Sequence, residues 1–138
     1  MSGRQGDQKL CAPCSEMDES LLLGKGEVCE FLAASNSLWS IDSSEQVSML
    51  LTRKFVAKNF ESALRCINEV ASIAERESHH PDFHLTNYRE VQIDIWTHKL
   101  RGITQNDLNL AKMIDIEVKI EYSPKWLREN PSAGGTSK

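Results

Sequence analysis

Between two polar ends, the spacing of apolar residues along the chain changes several times, and each change predicts an element. Residues 1–17, with Gly3, Gly6 and Pro13, read as a loose N-terminal arm, and residues 128–138, ending "ENPSAGGTSK", as a disordered tail. Val28, Phe31 and Leu32 recur at helical spacing and predict a short helix ending near Asn36. "SLWSID" predicts a strand around Trp39 and Ile41, and "SMLLTRKFVAK" a second over 49–57. Phe60, Ala63, Leu64, Ile67, Val70, Ala71 and Ala74 form one face of an amphipathic helix sustained for about four turns. Asn59 suits its N-cap, and Pro81 disfavours helical geometry at His80, so this helix should stop by His79. "REVQIDIWTH" then alternates: Val91, Ile93, Ile95 and Thr97 point one way, and Gln92, Asp94, Trp96 and His98 the other. A weaker strand is expected over 83–88, a turn at Gly102, and a last helix capped by Thr104. "VKIEY" either extends that helix or forms a strand, and Pro124 ends either one. Helix, two strands, helix, strand, helix predicts an α+β domain over 18–127, with helices layered on an antiparallel sheet.

Composition adds bounds. A 138-residue chain that is 40% hydrophobic and 26% charged suits one soluble domain with a single core. The net charge of −4 argues against direct contact with nucleic acid, which needs clustered Lys and Arg. No apolar run approaches the 18 or so residues that cross a bilayer, and "LLL" at 21–23 is too short for a signal-peptide core. The expected setting is cytoplasmic, and Cys11, Cys14, Cys29 and Cys66 read as reduced thiols. Cys11 and Cys14 form C-x2-C without a second pair at zinc-finger spacing, so exposed thiols in the arm are favoured over a metal or redox site.

Candidate chemistry is concentrated in "ESHHPDFHLTNYREVQIDIWTHK", which holds all four histidines: His79, His80, His84 and His98. His80 and His84 show H-x3-H spacing, but Pro81 lies between them and breaks the helix that would align two ligands, so no metal is expected. His79 sits at a helix C-terminus with Glu75 one turn earlier, placed to orient the same ring. His98 ends the alternating strand on its polar face. Imidazole both gives and takes protons near neutral pH, so proton transfer is one reading. A polar turn with scattered surface histidines is the other, and the residues alone leave both open.

The spaced pattern resembles the pterin-4a-carbinolamine dehydratases. It comprises Glu75, His79-His80-Pro81, Phe83, "VQIDIWTH" ending at His98, and "NDLNLA" with Asp107, within a similarity covering about residues 38–115. The resemblance implies a four-stranded antiparallel sheet with helices on one face and a homodimer or homotetramer. It implies a lyase that eliminates water from 4a-hydroxytetrahydropterin, giving quinonoid dihydropterin in tetrahydrobiopterin recycling. No metal and no cofactor are implied. His79 and His98 would be the acid–base pair, His80 would position the pterin, and Glu75 would orient His79. Phe83 and Trp96 could wall the substrate, although each is more often a core or surface aromatic. Thr97 and Asp107 match positions tied to substrate binding, although Asp107 also stands where a carboxylate completes a capping box behind Thr104. Ser78 departs from the acidic or otherwise polar residue common before the histidine pair, and the stretch between His80 and His98 is one residue longer than in the animal-type form, in a branch where His84 need not be catalytic. The alternative is a non-enzymatic assembly or transcriptional cofactor on the same fold. Such relatives tend to lose the histidines that this chain keeps.

Overall fold

The computed structural model describes residues 18–35 and 37–135. The expected arm, Asn36 and the last three residues lie outside the described residues. After a single 3-10 turn at Glu19–Leu21 come α1 (Lys25–Ala34), β1 (Ser40–Asp42), β2 (Leu50–Val56), α2 (Phe60–Glu77) and β3 (Asp82–Thr86). There follow β4 (Glu90–Ile95), α3 (Gln105–Glu117), α4 (Pro124–Glu129) and α5 (Pro131–Gly135). The weak strand expected over 83–88 forms as β3. "VKIEY" does neither thing expected of it: Val118 leaves α3 in extended conformation, and only Tyr122 makes an isolated bridge, to Ala57. Arg128 and Glu129 end α4, the following residues form α5, and Ala133 is buried, so the expected tail is folded as far as 135.

The four strands form one antiparallel sheet in the order β1-β2-β4-β3. Asn87 and Tyr88, both at positive φ, turn the β3–β4 hairpin, as a tight antiparallel connection requires. Period-two alternation puts Leu51 and Phe55 of β2, with Val91, Ile93 and Ile95 of β4, into one buried core with α2 and α3. Arg53 also lies buried on β2, and the charge is compensated there: Nη1 meets Asp115 Oδ1 at 3.0 Å and Nη2 meets the Tyr122 hydroxyl. Asp115 accepts a further bond from Trp39 Nε1 at 2.9 Å. Burial raises its carboxyl above the ordinary range, and the Arg53 charge opposes that shift. Trp126 stacks on Tyr122 at 4.9 Å between ring centroids and meets Phe55 edge-on, which pins the C-terminal helices to the sheet.

The apolar face of α2 differs from the expected stripe. Ala63, Cys66, Val70, Ile73 and Ala74 are buried, whereas Phe60 and Leu64 are 49% and 39% exposed. The arc of apolar residues is wider than the contact α2 makes with the sheet and α3, so its 60/64/67/71 edge is left partly in solvent. Asn59 caps the helix as expected, its side chain accepting from Ser62 N at 2.8 Å. At the other end Ser78 adopts the left-handed conformation (φ 57°, ψ 37°), and His79 N donates back to Ala74 O at 3.1 Å, closing a Schellman motif. Arg76 ties this end of α2 to α3 through Glu117 at 3.0 Å. These features fix where the chain leaves α2, and so where His79 and His80 go.

Candidate active site

The Schellman turn sends His79 inward. Its side chain is 4% exposed, and Nε2 lies 2.6 Å from Asp107 Oδ1 in the first turn of α3. A carboxylate only accepts, so the proton in this bond sits on Nε2 and leaves Nδ1 as the other ring nitrogen. Asp107 Oδ2 accepts from Thr97 Oγ1 and from Thr104 N, each at 2.8 Å. Since Thr97 spends its hydroxyl proton on Asp107, the 2.8 Å contact between the two threonine hydroxyls has Thr104 as donor. Asp107, Thr97 and Thr104 are all 0% exposed. Three donors meet the two Asp107 oxygens there, so the polar atoms are not left unpaired by burial. The two readings of Asp107 therefore hold together: its bond to Thr104 N is the carboxylate half of a capping box, and its other oxygen holds His79.

Thr97 connects this buried group to the end of the alternating strand. Regular pairing with β2 and β3 ends at Ile95 and Asp94, and the next backbone contact is the Thr97–Gly102 bridge. His98 is exposed on the turn inside that bridge, with its ring 4.5 Å from that of Trp96. Because Asp82 pairs with Asp94, the chain entering β3 through His79, His80 and Pro81 runs beside the chain leaving β4 through Trp96, Thr97 and His98. The inner partners meet through Asp107; the outer pair, His80 and His98, lie in solvent.

Glu75 is not where the i, i+4 argument put it. Its Oε1 lies 3.2 Å from His80 Nε2, with the Glu75 and His80 side chains 80% and 58% exposed, while His79 takes Asp107. The reason is Ser78: a left-handed residue at the helix end cancels the helical spacing between 75 and 79 and returns the second histidine over the last turn. His84 points to the helix-free side of β3, 3.4 Å from Asp94 Oδ2, and Asp94 also accepts from Thr52 Oγ1 at 2.6 Å. Phe83 is half-buried and packs against the core, in keeping with the simpler of its two readings. Trp96 is half-buried beside His98. Thr97 and Asp107, expected to bind substrate, are fully buried, and their contacts are with one another, Thr104 and His79.

Sequence reasoning missed the direct His79–Asp107 bond and the part of Thr104 in it. The available signal was polar spacing: Thr97, Thr104 and Asp107 are buried polar positions around a predicted helix start, where a core would otherwise be apolar. Among the described residues no group of three His, Cys, Asp or Glu side chains is arranged to hold a metal ion. None of their helices is long and apolar enough to cross a membrane. Two surface clefts, of about 970 and 910 Å³, lie along α2 and beside Arg53, and no histidine lines either.

Helices on one face of a four-stranded antiparallel sheet, with histidines at a helix end and a strand end, define an α+β protein with a built His–Asp–Thr corner. Residues 22–116 match the family model described as Pterin 4 alpha carbinolamine dehydratase, and the chain belongs to that family. It is similar to pterin-4-alpha-carbinolamine dehydratase 2, mitochondrial, of Arabidopsis thaliana, with 34% identity over 82% of this chain and 58% of the relative. The chain thus spans little more than half the length of that relative. A putative pterin-4-alpha-carbinolamine dehydratase of Rickettsia canadensis is 33% identical over 80% of this chain and 95% of its own length. A solved structure, the transcriptional coactivator/pterin dehydratase from Brucella melitensis, aligns with a TM-score of 0.58 and 26% identity, covering 71% of this chain and 99% of its own.

Proposed function

We propose that the protein is a pterin-4a-carbinolamine dehydratase, a lyase acting in tetrahydrobiopterin recycling. In the substrate, 4a-hydroxytetrahydropterin, the hydroxyl on C4a leaves as water once it is protonated. Loss of the N5 proton supplies the electron pair for the new C4a=N5 bond, giving quinonoid dihydropterin. One acid and one base therefore complete the reaction, and groups of this kind contribute roughly 10²- to 10⁴-fold each. His79 and His98 take those two roles, with His80 steering the pterin ring. Trp96 supplies an aromatic wall beside His98. The observation that carries this reading is the bonded path from His79 through Asp107 to Thr97, the residue before His98. It joins the helix end to the strand end and leaves His79 one ring nitrogen beyond its Asp107 bond.

The test generates 4a-hydroxytetrahydropterin with an aromatic amino-acid hydroxylase in a stopped-flow cell and follows its dehydration. The protein should accelerate the step, and His79→Ala and His98→Ala should each slow it severely. Absence of acceleration by the wild-type protein ends the dehydratase reading. Wild-type rates in both variants end the assignment of roles.

The protein further acts as a homodimer or homotetramer in this reading. The half-exposed Phe60 and Leu64, followed by Ile67 and Ala71 along the same edge of α2, are the support for a second copy packing there. Sedimentation of Phe60→Glu should shift towards monomer. The Brucella protein is described as both a transcriptional coactivator and a pterin dehydratase, which supports a second reading, a transcriptional cofactor on the same fold. That reading predicts a partner-dependent role that survives His79→Ala and His98→Ala.

A further inference from the structure

The turn that carries His98 is held from outside by two segments remote in sequence. Within the turn, Thr97 N donates to Gly102 O at 2.8 Å, and the amides of Leu100 and Arg101 both donate to Thr97 O. Arg101 adopts φ 55° to close it. From the N-terminal side, Leu23 N donates to Ile103 O at 2.8 Å. Leu22 packs so closely that a Cβ added to Gly102 would stand 2.7 Å from Leu22 Cδ2. From the β1–β2 connection, Ser48 donates to Arg101 O twice, through N at 3.2 Å and Oγ at 3.1 Å. Asp18 adds a charge on the same side. Hydrogen bonds from Ser20 hold its carboxyl below the ordinary range, and the charge of Lys99, in the turn itself, adds to the effect.

Any surface hairpin is packed against something, so proximity alone would say little. The position of this turn gives the contacts their consequence. Past Ile95 no sheet ladder holds the backbone, so the place of His98 depends on the Thr97–Gly102 bridge and on whatever holds that bridge. The same turn joins His98 to Thr104 and Asp107, whose contacts hold His79. Proton transfer tolerates little displacement of the group involved.

We propose that Leu22, Leu23 and Ser48 are positioning residues of the site: they clamp the 97–103 turn and thereby set where His98 stands relative to the substrate. The proposal rests on the dehydratase reading for its catalytic consequence, but not for the clamp itself.

The experiment uses the full chain with Leu22→Ala, Ser48→Ala and Gly102→Ala, and the pair Leu22→Ala with Gly102→Ala. Dehydration kinetics are read together with the ring-proton NMR resonances of the histidines. Each single variant should lower kcat by about tenfold with KM little changed, because a misplaced catalytic group loses rate rather than binding. The His98 resonances should move more than those of His79, which Asp107 holds from α3. In the pair, removal of the Leu22 methyls makes room for the new Cβ, so the His98 resonances and part of kcat should return relative to Gly102→Ala. Leu22→Met, which refills the contact, should behave as wild type and so separates clamping from loss of folding. Unmoved His98 resonances with wild-type kcat in Leu22→Ala and Ser48→Ala overturn the proposal. If the wild-type protein does not dehydrate the pterin, the function falls and the resonances alone decide the clamp: moved signals uphold it, unmoved ones overturn it.

Discussion

Just past the left-handed residue that ends α2, two adjacent histidines part: His79 goes inward with its side chain 4% exposed, and His80 outward with its side chain 58% exposed. Each has a carboxylate partner, and the two partners differ as much as the rings do. Asp107 is fully buried and shared among His79, Thr97 and Thr104, whereas Glu75 is 80% exposed and meets His80 alone at 3.2 Å. A desolvated pair in a closed network resists loss of either member, while an exposed pair is screened and contributes little. Sequence adjacency therefore says nothing about equivalence of role.

The sharpest way to break the comparison is to remove one member of each pair. Asp107→Ala leaves a buried imidazole and two threonine donors without their acceptor, and should lower stability by about 3 kcal/mol. Its dehydration rate should fall by about 10²-fold or more as His79 loses its orientation. Asp107→Asn keeps the shape but turns an amide N–H towards Thr97 or Thr104, and should recover only part of the loss. His80→Ala should leave the unfolding free energy within about 0.5 kcal/mol of wild type, with the kinetic change confined to KM. Urea melts beside stopped-flow rates read both arms. Equal losses for Asp107→Ala and His80→Ala would erase the contrast.

The same contrast between buried and exposed groups governs the thiols, and here pH provides the probe. Cys29 is exposed and Cys66 buried in α2, where burial pushes the Cys66 thiol up from 9.0 to about 11. The unfolded thiol ionises near pH 9 and the folded one near pH 11. Its contribution is therefore fully present below pH 9 and is lost as pH rises to 11, a change on the order of 3 kcal/mol. Tyr122, also raised by burial, adds a slope of the same sign higher up. Cys66→Ala should fall less steeply between pH 9 and 11 than wild type. Parallel curves for wild type and Cys66→Ala would show that burial does not govern this thiol.

How much of this was legible beforehand follows the kind of signal involved. Period-two alternation in "VQIDIWTH" and the N-cap at Asn59 are local signals: the cap forms as expected, and the strand forms but ends at Ile95, three residues short of His98. The division of α2 between core and solvent was not legible, because a seven-residue apolar face does not state how much of it the sheet will cover. Phe60 and Leu64 lie on the uncovered side. The partner of His79 escaped for a different reason. Proline at 81 announces that the helix stops, but not that Ser78, a residue without glycine's freedom, takes the left-handed turn. With that turn unseen, helical spacing assigned Glu75 to the wrong histidine. Asp107 was visible as a cap because capping is local; its bond to His79 spans 28 residues and depends on how α2 docks on α3.

The turn at Ser78 can itself be tuned. An L-residue at φ 57° carries a cost of about 1 kcal/mol that glycine does not. Ser78→Gly should therefore raise stability by up to about 1 kcal/mol, a few degrees in Tm, while preserving the His79–Asp107 bond. The unfolded chain gains freedom with glycine and offsets part of that gain, so the expected change is small but positive. A fall in Tm would mean that the Ser78 side chain contributes more than its backbone strain removes.

The smallest expected effect is the one that most directly opposes the i, i+4 reading. If Glu75 oriented His79, Glu75→Gln would disturb a buried proton-transfer group and slow dehydration by orders of magnitude. With Glu75 on the exposed His80 instead, an uncharged side chain of the same length should change the rate by less than about threefold and leave the urea midpoint where it was. The comparison with Asp107→Asn is then the informative one, because both variants exchange a carboxylate for an amide beside one of two neighbouring histidines. A rate loss at Glu75→Gln as large as that at Asp107→Asn would mean that His80, and not His79, is the ring whose orientation limits the chemistry.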